Sequence, residues 1–167
     1  MKLFSANVQD LHGLYINHLK KALDMERKIV KALPNLIDES NDFELSGALR
    51  IHLQQTKDHV AKVERLLRRH TGEAETETCK VMDALATAAA DTIKDVPEPS
   101  IRDIALIGAA QQVEHHEIAV YGTLRRWADI LGLVEDAVVL ETIEAEEVSA
   151  DEMLSGISER VNFEAAA

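Results

Sequence analysis

The segment Gln111–Tyr121 places a glutamate where a helix should be apolar. Val113, Glu117, Val120 and Leu124 recur at helical spacing, so the stripe that must face a core passes through Glu117. A carboxylate in such a position costs several kcal/mol unless it is paired, protonated or bound to a cation. If other helices carry the same anomaly, their polar positions have to meet, and a metal ion between them is the simplest common answer.

They do carry it. Asn7 and Asp10 are expected to cap a first helix with a stripe of Leu11, Leu14, Ala22, Ile29, Leu33 and Leu36; Glu26 falls on that stripe, and His18 lies near its edge. Pro34 predicts a kink near the end of this helix. Ser40-Asn41-Asp42 breaks the chain, with Asn41 and Glu44 spaced as a capping box. A second helix from about Phe43 to His70 stops at Thr71-Gly72. Leu49, Leu53, Thr56, Val60, Val63 and Leu67 form its stripe, with His52 and His59 on one shoulder and Gln55 further round. After a polar connection, Cys79 to about Lys94 reads as a shorter crossover helix, ended by Val96-Pro97-Glu98-Pro99. Ser100 with Asp103 is expected to cap a helix running to about Leu131, in which Gly108 and Gly122 point to close helix contacts. The last helix begins near Glu135 or Asp136 and reaches about Arg160, with fraying expected from Asn162 to Ala167. Its stripe of Val139, Leu140, Ile143, Ala150, Leu154 and Ile157 contains Glu147.

The fold class is therefore all-α: a four-helix bundle with an additional shorter crossover helix, built from two loosely repeated hairpins and occupying residues 1–167 as one domain. Composition agrees, since aromatics are only 4% of the chain against 46% hydrophobic residues overall, a balance that disfavours sheets. A net charge of -12 leaves nothing to offset phosphate repulsion, which argues against nucleic acid. No apolar run approaches the ~20 residues of a membrane span. The one cysteine, Cys79, cannot form an internal disulfide, and the N-terminus lacks a secretory pattern, so a cytoplasmic location is expected.

Each long helix thus offers a polar group to the interior: Glu26, His59 (with His52 and Gln55 beside it), Glu117 and Glu147. Glu114 and Glu144 precede Glu117 and Glu147 by three residues, so each pair can share a helix face. Taken alone, each of these glutamates also suits a solvated face or a surface salt bridge; the argument for a site is the coincidence across four helices. His12 and His115 read as surface residues, His70 as a helix-end partner, and His18 and His52 as either outer support of a site or ordinary packing. Carboxylates with imidazole suit iron or manganese better than zinc, whose structural sites favour thiolates.

Several runs carry a family resemblance. They are Asp24-Met25-Glu26-Arg27-Lys28 with Lys31-Ala32-Leu33-Pro34, His52-Leu53 with Thr56 and Val60, and above all Arg102–Ile107 followed by Ala109–Ala119 and Tyr121-Gly122-Thr123-Leu124. Leu131-Gly132, Glu141-Thr142, Glu144, Glu146, Glu147 and Asp151 complete the set. Through these residues the chain resembles the YciF/YciE family of bacterial ferritin-like stress proteins over nearly its whole length. The resemblance implies a ferritin-like bundle, a homodimer or higher homo-oligomer, and a di-iron-type site at Glu26, Glu114, Glu117, Glu144 and Glu147, open to dioxygen or peroxide. Where members usually have a glutamate in the second helix this chain has Gln54-Gln55, and His59 is expected to supply the missing ligand. The function implied is oxidant removal or iron handling at an iron or manganese centre. The alternative is a non-catalytic helical assembly protein with a vestigial carboxylate core.

Overall fold

In a computed structural model, which describes residues 8–166, the chain forms five helices: α1 (Leu11–Glu39), α2 (Phe43–Thr71), α3 (Lys80–Asp95), α4 (Pro99–Ile130) and α5 (Val134–Ala166). No strand occurs among the described residues, and none of their helices is long and apolar enough to cross a membrane. α1 packs chiefly against α2 and α4 chiefly against α5, so the two hairpins expected from the sequence are present.

Two sets of contacts fix how the hairpins meet. At one end, Asp103 near the start of α4 accepts the backbone N–H groups of Asn41 and Asp42 in the α1–α2 turn at 2.8 and 2.9 Å. At the other, buried Asp136 near the start of α5 takes the Tyr15 hydroxyl at 2.7 Å, Arg69 at 2.5 Å and His70 at 2.6 Å. α2 and α4 therefore run in the same direction, opposite to α1 and α5. The crossover closes the topology: the segment after Gly72 runs back along α1, where Glu77 N–H reaches the Lys20 carbonyl, and Cys79 N–H then binds Asp24. From there α3 covers α1 and α4.

Several local expectations shift for identifiable reasons. Asp42, rather than Asn41, caps α2 by accepting from Glu44 and Leu45 N–H. Glu98 caps α4, with Pro99 in the first turn, which frees Asp103 for the turn it braces. Asp10 caps α1 by accepting from Gly13 N–H; Asn7 lies outside the described residues. Pro34 sits inside α1, which continues through it to Glu39. α5 runs six residues past Arg160, whose guanidinium holds Asp42 and Glu44 across the bundle end; Ala167 lies outside the described residues. Gly122 is a true close contact, since a methyl there would lie 2.8 Å from Glu144 Oε1, whereas Gly108 faces open space.

The buried apolar residues form one cluster, from Tyr15 and Leu19 through Leu45, Leu67, Leu106 and Leu124 to Leu140 and Leu154. α3 contributes little to it; among its residues only Met82 and Ala89 are buried.

Candidate metal centre

In α4 the buried face reads Ala110, Glu114, Glu117, Tyr121, Leu124 and Ala128, an i, i+4, i+7 series that carries both glutamates inward. In α2 the face is turned toward the histidines: Leu49, His52, Thr56, His59 and Val63 are buried, while Leu53 and Val60 are only half-buried. α1 supplies Glu26 and α5 supplies Glu147, both 0% exposed. Six side chains from four helices thus meet in the interior.

They form two groups that share one residue. His52, Glu114, Glu117 and Glu147 offer ligand atoms within 4.8 Å of one another, and Glu26, His59 and Glu147 do the same. In the first group His52 Nε2 lies 3.4 Å from Glu114 and 3.8 Å from Glu117, and His52 Nδ1 lies 3.7 Å from Glu147. In the second His59 Nδ1 lies 2.9 Å from Glu147 Oε1 and 3.8 Å from Glu26 Oε1. Yet both oxygens of Glu117 and Glu147, both nitrogens of His52, His59 Nδ1, Glu26 Oε2 and Glu114 Oε2 have no hydrogen-bond partner. Most of these atoms are close without satisfying one another; His59 Nδ1 and Glu147 Oε1, 2.9 Å apart, attract as an ion pair once His59 is protonated but lack regular hydrogen-bond geometry.

Such a cluster is electrostatically costly without a cation. Burial, followed by repulsion from neighbouring carboxylates, pushes Glu114 up to about 9 and holds Glu117 well above the usual carboxylate range. Burial likewise raises Glu26 to about 8, with His59 pulling the other way. Burial alone would depress His59, but Glu147, Glu26 and Glu146 outweigh it and lift it to about 9. His52 is lowered by burial. Two neighbours complete the surroundings. The Tyr121 hydroxyl donates to Glu26 Oε1. Glu146, itself bound by Lys62 at 2.9 Å, engages His59 Nε2 at 2.6 Å and so leaves Nδ1 facing the cluster.

Of the residues expected at a site, the structure brings together Glu26, His59, Glu114, Glu117 and Glu147. Glu144 is not among them. It is half-buried, faces Gly122 and binds Arg125 at 2.7 Å, because three residues before Glu147 the α5 surface has turned toward the α4 flank. His52 joins the cluster although it read equally well as packing; its spacing of seven from His59 was the available signal. Glu146 carried no periodic signal and was missed as a partner of His59. Gln54 is exposed, Gln55 is half-buried, His12 and His115 are exposed, and His18 packs edge-on against Trp127 at 4.9 Å between ring centres.

Carboxylates and imidazoles from α1, α2, α4 and α5, lined up along the interior and short of partners, define a helical bundle that can hold a metal ion. Residues 10–167 match the family described as Domain of unknown function (DUF892), and the chain belongs to it. Protein YciF of Escherichia coli K12 is 29% identical over 153 residues, covering 91% of this chain and 92% of that one. The solved structure of YcfI from Rhodopseudomonas palustris superposes with a TM-score of 0.88 at 31% identity, covering 92% of this chain and 98% of that one. The crystal structure of the E. coli stress protein YciF gives 0.87 at 28%, with 92% and 97% covered. The chain is thus a member of that family that resembles YciF in both sequence and fold.

Proposed function

We propose that the chain binds a dinuclear iron or manganese centre between α1, α2, α4 and α5 and acts in oxidant removal or iron handling under stress. The observation that carries this reading is the set of fully buried carboxylate and imidazole atoms with no hydrogen-bond partner. In the bundle core each such atom carries a desolvation cost that a bound cation removes.

His52, Glu114 and Glu117 would hold one metal and Glu26 with His59 the other, with Glu147 shared between them. Four carboxylates balance the charge of two divalent cations. Glu146 fixes the ring of His59, and the Tyr121 hydroxyl orients the Glu26 carboxyl by donating to it. Once bound, the metals supply one-electron chemistry with dioxygen or peroxide. The surrounding leucines keep bulk water out, which strengthens every electrostatic contact inside. The E. coli relative is described as a stress protein, which agrees with such a role.

Self-association belongs to the same proposal, because Phe43 at 87% exposed and Phe163 at 78% leave large apolar rings uncovered. The second reading, a helical assembly protein with a vestigial core, draws on α2, where the site holds histidines and no carboxylate. Metal analysis of protein expressed with iron separates the two: about one to two ions per chain support the centre. None would leave the assembly reading.

A further inference from the structure

The two ends of the cluster differ in what lies beside them. At the Glu26–His59 end, Tyr121, Glu146 and Lys62 occupy the neighbouring space. At the His52–Glu114 end there is a void. A cavity of about 30 Å³ lies beneath α3, walled by Leu49, Met82, Ala89 and Ala110, with His52 and Glu114 also in its wall. That exceeds the ~10–15 Å³ that a single water needs. Its remaining lining is apolar, and the half-buried Ala86 and Ala109 belong to its outer part.

Polarity decides what suits this space. His52 and Glu114 stand in the cavity wall, and both nitrogens of His52 and Glu114 Oε2 are buried and unpartnered. A water or a peroxide entering between Leu49, Met82 and Ala89 would give up most of its hydrogen bonds before reaching them. An apolar diatomic gives up almost none. A separate void of about 10 Å³ beside Gln55, between α2 and α5, also borders His52 and Glu114, and its lining includes that amide.

We propose that the cavity under α3 is a binding site for a small apolar gas, dioxygen, through which it reaches the His52–Glu114 edge of the cluster. The delivery role rests on the metal-centre reading; the gas site does not. α3 suits the position of a cover, being the shortest of the five helices and attached by few buried side chains.

Two measurements test this. Crystals of the metal-free protein are pressurised with xenon, which should appear in the cavity of the wild type and be absent from Ala89→Leu, whose added side chain fills it. In parallel, protein loaded with ferrous iron is mixed with dissolved dioxygen or with hydrogen peroxide in a stopped-flow instrument. Ala89→Leu should bind the same amount of iron and react several-fold more slowly with dioxygen, at an unchanged rate with peroxide. Leu85→Ala, on the half-buried part of the wall, should keep xenon and react with dioxygen at least as fast as the wild type. The proposal is overturned by a cavity without xenon, by wild-type dioxygen rates in Ala89→Leu, or by equal slowing with both oxidants. A wild type that binds no iron would defeat the metal reading and the delivery role, and xenon would then decide the gas site alone.

Discussion

Replacing Glu117 by methionine should make the metal-free protein more stable and the metal-supplied protein less responsive. Glu117 is 0% exposed and neither carboxylate oxygen has a partner. Its carboxyl is held well above the ordinary value of 4.5, first by burial and then by Glu147, Glu26 and Glu114. Keeping this unpartnered carboxyl in the core therefore costs the folded, metal-free chain stability that a cation or an apolar replacement would restore. Methionine of similar length removes that cost and restores apolar packing, less some strain, for a gain of about 1–3 kcal/mol. In a chain of this length the gain amounts to a rise of roughly 3–10 °C in Tm. The assay is thermal unfolding by circular dichroism, with chelator and then with excess ferrous or manganous ion. Wild type should gain about 2.7 kcal/mol from metal at a hundred times its Kd, and Glu117→Met much less. A Glu117→Met protein that is less stable than wild type under chelation, with an undiminished metal response, would refute the reasoning.

Four further outcomes follow from the same geometry. The stability of metal-free protein should fall as pH rises from about 5 to about 9: Glu26 (about 8), Glu114 (about 9) and His59 (about 9) all have raised folded-state values, so their contribution is present at low pH and lost as pH passes through those values. Metal should flatten or reverse that slope, because binding displaces the protons, and calorimetric unfolding across the range checks it. Glu144→Gln should leave metal stoichiometry unchanged while Glu147→Gln lowers it, measured by elemental analysis, because only Glu147 lies in both ligand groups. Glu146→Gln should weaken metal affinity about 10–100-fold by loosening the ring of His59, read by competition with a chelating dye. Asp103→Ala should cost about 1–3 kcal/mol in urea unfolding, since it strips the partners from two N–H groups in the α1–α2 turn.

Helices, their order and the crossover were legible because each rests on local signals: apolar residues three and four apart, Gly72 and Gly132 at positive φ after α2 and α4, and the proline pair between α3 and α4. Caps were less so, because Asn41 and Asp42, or Glu98 and Ser100, compete within one turn, and Asp42 is also held from across the bundle by Arg160. The interior positions of Glu26, Glu117 and Glu147 followed from their stripes. His52 and Glu144 did not, for one physical reason. Reading the α2 stripe along Leu53 and Val60 sets His52 at its margin, whereas packing against α4 and α5 rotates the helix until His52 and His59 lie at its centre. The same rotational freedom leaves Glu144 on the flank of α5, where a glycine on α4 makes room for it. Which atoms remain short of partners depends on four helices at once and has no signature in any one of them.

The most direct test is anomalous scattering at the iron edge from crystals grown with ferrous iron. The account predicts strong peaks between α1, α2, α4 and α5, each within about 2.0–2.4 Å of carboxylate oxygen or imidazole nitrogen, with Glu147 touching both positions where two appear. Full iron soaking with no anomalous density among Glu26, His52, His59, Glu114, Glu117 and Glu147 would contradict it.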